Sequence, residues 1–155
     1  MELETSRLVL RALQPSDAQL VLDYQIANKA FVKEWSPIRK DEFFTKLYHE
    51  KYLAKNNSAN LLRLFLFKKG NPSKVIGDIG YTNIVYGAFQ SCHLGYSMLY
   101  SEVNKGFITE ALTITNQYVF NSLGLHRIEA NVAPRNKPSI KVLQKLEFDN
   151  EGLSK

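Results

Sequence analysis

Three strand-like runs succeed one another in the middle of this chain with only turn residues between them, and a strong helix follows the third. The runs are Leu61–Phe67, Val75–Val85 and Cys92–Tyr100, separated by Lys68-Lys69-Gly70-Asn71-Pro72-Ser73 and by Tyr86-Gly87-Ala88-Phe89-Gln90. Strands joined by such short turns pair antiparallel. Phe107–Leu123 then carries Ala111, Leu112, Thr115, Tyr118 and Val119 on one helical face, with Gly124 where a C-cap belongs. His126–Val132 reads as a strand again, and a strand–helix–strand crossover makes a parallel pair. The expected fold is therefore α/β (α+β): a mixed, mostly antiparallel central sheet flanked by helices.

The rest of the chain fits around that sheet. Arg7–Leu13 alternates as a short strand, and Pro15-Ser16-Asp17 signals a helix start before Leu20, Val21, Tyr24 and Ala27. Asn28–Arg39 has no clean period and reads as a loop, whereas Asp41–Leu53 is a second amphipathic helix. Pro138–Leu146 is a further helix, and a last strand is expected from Phe148. The order is β-α-α-β-β-β-α-β-α-β, with no internal repeat.

Length and composition narrow the class. The 155 residues suit one domain, 1–155, large enough to bury roughly 70% of its extended-chain surface without a metal or disulfide staple. Cys92 is the single cysteine, so no internal disulfide forms, and His49, His93 and His126 have no metal-ligand spacing. The start, Met-Glu-Leu-Glu-Thr-Ser-Arg, is not a secretory signal, and no run approaches the roughly 20 apolar residues of a membrane span. A cytoplasmic enzyme or binding module is expected, with no membrane partner and no metal. The net charge of +5 is spread along the chain, with only pairs such as Arg39-Lys40 and Lys68-Lys69 adjacent. Direct nucleic-acid binding is therefore not expected, and the charge suits a polyphosphate ligand or an acidic partner.

The junction between the third strand and the strong helix reads Ser101-Glu102-Val103-Asn104-Lys105-Gly106-Phe107-Ile108-Thr109. A helix start exposes unpaired N–H groups and partial positive charge, which together hold a phosphate. Gly106 lets backbone approach closely and accepts positive φ, and Lys105 adds a charge. On local physics alone, an anion site and a plain connection both fit this turn.

The wider context separates them. Gly95-Tyr96-Ser97, Lys105-Gly106-Phe107 and Thr109-Glu110-Ala111-Leu112 resemble motif A of the GNAT superfamily of acyl-CoA N-acyltransferases. The form is that of ribosomal-protein alanine N-terminal acetyltransferases. The similarity continues in Ser6-Arg7-Leu8-Val9-Leu10-Arg11, in Leu123–Val132 and in Asn136–Phe148, in order and nearly end to end. Departures are Val103 for Gln or Arg, Asn104 for Gly, Ile108 for Gly or Ala, and Glu147 for the Gly of a Lys-Leu-Gly-Phe element. A left-handed Glu147 would cost about 1 kcal/mol. Such domains finish with one more antiparallel strand after the one from Phe148. That C-terminal strand is missing, so a chain truncated at its C-terminus is expected.

The resemblance implies acetyl-CoA as co-substrate. Ser97, Met98 and Leu99 would line its pantetheine arm, and Val103, Asn104, Lys105, Gly106, Phe107, Ile108 and Thr109 its pyrophosphate. Asn136 belongs to the same cofactor set, and Lys141 or Lys145 would meet the 3′-phosphate. Ser139, of Asn136-x-x-Ser139, would serve the departing thiolate; the same residues also fit an N-cap, with Asn136 bonding the Ser139 amide. An α-amine of pKa near 7.8 is roughly 10–20% neutral at pH 7, so an N-terminal acceptor needs little help from a base. His93 is the candidate proton relay or a half-exposed strand histidine, with Glu129 and Asp78 as weaker bases. Phe31 and Trp35 would line the amine's approach. The expected acceptor is the N-terminal amine of a protein such as a ribosomal protein. The alternatives are a small-amine acetyltransferase and a non-catalytic acyl-CoA-binding module, and a homodimer is compatible with each.

Overall fold

The apolar runs form strands, and six strands make one sheet in chain order in a computed structural model that describes residues 1–32, 40–56, 58–133 and 135–152. They are β1 (Glu2–Glu4), β2 (Leu8–Arg11), β3 (Leu62–Lys68), β4 (Gly77–Val85), β5 (Ser91–Met98) and β6 (Arg127–Ala130). Neighbours pair antiparallel up to β5. The helix α3 (Phe107–Asn121) then crosses over and makes β6 parallel to β5.

Period-two alternation gives the sheet two unlike faces. On one face Leu8, Leu10, Leu64, Leu66, Ile79, Tyr81 and Leu94 meet Ala111, Leu112 and Val119 of α3. Leu112 is fully buried there, worth about 2 kcal/mol of apolar transfer. The helix α4 (Lys137–Lys145) lies on the same face through Val142 and buries none of its residues completely. On the other face Phe65 and Phe67 pack under α1 (Ala18–Val32) and α2 (Lys46–Ala54), against Val21, Tyr24 and Leu53.

Four elements differ from the sequence expectations. β1 has too few residues to show a period; it forms as an edge strand whose Glu2 and Glu4 are exposed, a usual protection of sheet edges. The stretch from Asn28 begins as helix, because α1 continues to Val32 and the Asn28 side chain is buried in hydrogen bonds. The second helix is divided at Thr45, which ends a 3-10 turn (Asp41–Phe44) and caps α2 by accepting from the Tyr48 amide. Residues 148–152 form no strand; Glu151 reaches β6 through a 2.6 Å side-chain ion pair with Arg127 instead of a backbone ladder.

Glu147 is left-handed (φ 65°). It closes a Schellman turn in which the Phe148 amide donates to the Leu143 carbonyl and the Glu147 amide to that of Gln144, both at 3.0 Å. Glu147→Gly should stabilise the domain by about 0.5–1 kcal/mol, read as a higher urea midpoint at unchanged slope. A lower midpoint would mean that the glutamate makes compensating interactions.

Candidate active site

The pairing of β5 with β6 runs from Ser91 opposite Arg127 to Leu94 opposite Ala130 and ends there. β5 continues through Met98, held only by β4. The Leu99 amide donates to the Ile76 carbonyl at 2.7 Å. By the alternation of an antiparallel ladder, Ser97 and Gly95 also direct their backbone groups to β4. Those of Tyr96 and Met98 therefore point into the space that β6 vacates. Asn28 Nδ2 occupies the Met98 carbonyl at 2.9 Å, and the Asn28 Oδ1 accepts the Tyr100 amide at 2.8 Å. The Met98 amide and both backbone groups of Tyr96 are left along the open edge, able to bond an extended, amide-bearing chain.

The edge leads through Leu99 and a 3-10 turn (Tyr100–Glu102) to the start of α3. Asn104 (φ 62°) and Gly106 (φ 80°) are left-handed, and Gly106 is the N-cap with no side chain closing the helix. Asparagine is the residue after glycine that best tolerates this region, which accounts for Asn104 in a glycine's position. The first-turn amides of Phe107, Ile108 and Thr109 have no helical acceptor and can hold an anion. Val103 and Ile108 turn their side chains into the core, so their bulk does not fill the loop.

Charge around this helix end is paired but not balanced. Glu102, buried, meets Lys68 Nζ at 2.6 Å and Lys105 Nζ at 3.3 Å. Glu110 meets Arg7 Nε at 2.7 Å and also accepts from the Thr5 hydroxyl. Arg7 in turn donates to the Lys105 carbonyl at 3.0 Å and lies 4.3 Å over the Phe107 ring. Three cations face two carboxylates, a surplus of one positive charge. Burial works against ionisation of Glu102, but the hydrogen bonds and charges of Lys68 and Lys105 outweigh it and hold its carboxyl below the ordinary value. Glu110 is held low likewise, by Thr5 and Arg7 against the effect of burial.

Candidate residues divide between the two faces of β5. On the α4 face, Asn136 Oδ1 caps the helix by accepting the Ser139 amide at 3.3 Å. The Ser139 Oγ lies 2.6 Å from the Tyr96 hydroxyl, at the open edge. On the opposite face stand Ser97, Gly95 and His93, paired with Asp78, Gly80 and Thr82 of β4. His93 Nε2 is 3.1 Å from Glu129 and its Nδ1 is 3.2 Å from the Asn83 amide nitrogen. With that amide donating, Nε2 carries the proton toward Glu129. Glu129, held low chiefly by its bond with Arg127, is a weak base. Asp78 is bound by Arg63 at 2.6 Å and by the Tyr24 hydroxyl at 2.9 Å. Gly80 lies so close under the Arg63 guanidinium that a Cβ there would sit 2.5 Å from it, and Gly95 opens onto free space.

Phe31, half-buried, follows Tyr24 and Asn28 at helical spacing on the sheet-facing side of α1. Trp35 lies outside the described residues. Lys141 and Lys145 are exposed on α4. Cys92 is buried in the core, and burial, with Glu129 adding, pushes its thiol up to about 11. Sequence reasoning quoted Tyr96 and Arg7 within motifs without giving them roles, and missed Asn28. The strand period was the available signal for Tyr96, since it shares parity with Leu94 and Met98 and so faces the helix that carries Ser139.

Comparison with known proteins decides the family. A sequence profile described as "Acetyltransferase (GNAT) domain" matches residues 7–149. The [ribosomal protein uS5]-alanine N-acetyltransferase of Escherichia coli (strain K12) is 34% identical, over 100% of this chain and 81% of that protein. This chain belongs to the GNAT acetyltransferase family.

The fold agrees. The crystal structure of a ribosomal-protein-S5-alanine acetyltransferase from Vibrio fischeri superposes with a TM-score of 0.92 at 30% identity, covering 98% of this chain and 85% of that one. Mycobacterium smegmatis RimJ, in complex with CoA-disulfide, gives 0.83 at 25% identity, covering 94% and 71%. The protein is an acetyltransferase of a family that uses acetyl-CoA, and its own residues fit such a group: an unpaired strand edge leads to an uncapped helix end with surplus positive charge. No described helix is long and apolar enough to cross a membrane. No described group of three or more His, Cys, Asp or Glu could hold a metal ion.

The two depressed carboxyls predict an acid limit. Their folded pKa values lie below the unfolded ones, so their stabilisation is complete above the unfolded value, roughly pH 4.3, and is lost as pH falls through the folded values. Glu110→Gln should flatten the acid limb of a stability–pH profile measured by thermal melting. An unchanged limb would remove Glu110 from it.

Proposed function

We propose that this acetyltransferase moves an acetyl group from acetyl-CoA to the N-terminal α-amine of a protein, with a ribosomal protein as the favoured acceptor, in the cytoplasm. The observation that carries the reading is the unpaired edge of β5, open to the α1 and α2 face and covered on the other by the helix that bears Ser139. The chain's likeness to the ribosomal-protein alanine acetyltransferases of Escherichia coli and Vibrio fischeri supports a ribosomal-protein terminus over a small amine.

Acetyl-CoA supplies the activated acyl carbon and a thiolate leaving group. The Tyr96 backbone and the Met98 amide hold the pantetheine arm, which Ser97, Met98 and Leu99 line. The amides from Val103 to Thr109 hold the pyrophosphate, Lys105 adds charge, and Lys141 or Lys145 meets the 3′-phosphate. The acceptor approaches from the α1 and α2 face past Phe31. His93 assists proton removal: Glu129 fixes its Nε2–H, so Nδ1, where the Asn83 amide now donates, is the accepting nitrogen. Ser139 donates a hydrogen bond to the departing sulfur, with Asn136 holding the helix start in position. Attack is direct, because the one thiol of the chain is buried and kept protonated.

Titration calorimetry with acetyl-CoA, followed by thiol release over peptides beginning with Ala or Ser, polyamines and amino sugars, tests the reading. Binding plus turnover of the peptides is expected; turnover of the small amines alone would overturn the acceptor assignment. Gly106→Trp should abolish binding, since its side chain would occupy the helix end. Ser139→Ala should lower kcat about 10- to 100-fold with the KM for acetyl-CoA nearly unchanged. Retained affinity in Gly106→Trp would move the cofactor elsewhere.

A further inference from the structure

The Tyr96 hydroxyl has no part in the chemistry proposed above, although it touches Ser139, which does. It is the last β5 residue on the α4 face before Met98, and its backbone forms the open edge. Its side chain crosses to the first turn of α4, where the hydroxyl meets Ser139 at two atoms, the Oγ at 2.6 Å and the carbonyl at 3.2 Å. The shorter contact is at the tight end of O–H···O bonds. Either hydroxyl could donate, but a phenol is a much stronger acid than an aliphatic alcohol, so the phenol proton belongs in the short bond. Ser139 Oγ then accepts from Tyr96, and its own proton is free to point elsewhere. Asn136 fixes the Ser139 backbone from the other side by accepting its amide. The serine is therefore held between a strand and a cap, with one donor left over, above the strand edge.

Resting on the acetyl-CoA reading above, we propose that Tyr96 is a positioning residue for the reaction: it donates to Ser139 Oγ, orients the serine proton into the gap beside β5, and strengthens the bond that this proton makes to a thiolate. A donor that is itself receiving a hydrogen bond donates more strongly, because each bond of the chain polarises the next. A lone serine would rotate among its staggered positions and spend most of its time aimed away from the sulfur. No proton need move along the pair. Burial pushes the Tyr96 hydroxyl up, with the Ser139 bond pulling partly against it, so the phenol stays protonated when thiols ionise. The other buried tyrosine hydroxyls are committed elsewhere: Tyr24 to Asp78, and Tyr81 to Thr115 and Asn116.

Binding of CoA against desulfo-CoA isolates this effect from turnover. At roughly pH 10, where an alkyl thiol such as that of CoA is largely ionised, calorimetry on the wild-type protein should give CoA about five- to tenfold tighter than desulfo-CoA. Tyr96→Phe and Ser139→Ala should each remove most of that preference. The double variant should lose no more than either alone, because the two hydroxyls act as one unit. Desulfo-CoA affinity should be the same in all four proteins, which a merely structural role for Tyr96 would not allow. A Tyr96→Phe protein that keeps the preference overturns the proposal, as does one that loses CoA and desulfo-CoA equally. If the wild-type protein binds neither ligand, the acetyl-CoA reading itself falls and this inference with it.

Discussion

The structure turns on the point where β5 parts from β6. Up to Leu94 the two strands satisfy each other; beyond it β5 keeps one neighbour and presents backbone donors and an acceptor to open space. A strand edge in mid-sheet is costly unless something is meant to bond to it. Here the edge points at the start of α3, so the same divergence that frees the backbone also directs it at the uncapped amides of the helix. Asn28 holds the turning point from α1 by bonding on both sides of Leu99. Helix α1 thereby fixes the end of the open strand edge.

Electrostatics around the start of α3 pair a buried and a half-buried carboxylate with cations in slight excess. Glu102 and Glu110 order Lys68, Lys105 and Arg7 around the start of α3 without cancelling them. On the face under α1 and α2, Asp78 is bound by Arg63 and Tyr24, and His93 is paired with Glu129 near Gly95. His93 and Ser139 stand on opposite faces of one strand. That separation suits a reaction in which the amine arrives on one side of the acyl carbon and the sulfur departs on the other.

Much of the fold was legible because it rests on local periodicity. The antiparallel run, the crossover helix and Gly124 at the end of α3 (φ 69°) follow from alternation, helical spacing and the conformational freedom of glycine. Glu147 could be suspected of a left-handed conformation because the motif it resembles carries glycine there, and the Schellman turn makes the requirement physical. The tyrosine of Gly95-Tyr96-Ser97 was visible only as part of a motif. Its bond to Ser139 joins residues far apart in the chain, and no spacing rule reports such a pair.

The sequence by itself determined the order of the elements, the mixed sheet and the loop at which an anion would be held, since each depends on near neighbours. Tertiary structure decided how far α1 runs, which backbone groups of β5 remain open, and which face each polar residue occupies. Asn28 shows the reason. Locally it is a polar residue that favours a turn, and a loop was the fair expectation; in the folded protein its amide finds a strand carbonyl and a loop N–H, and those bonds outweigh its modest helix propensity. Partners supplied by distant segments, and not the local period, set the geometry of the site.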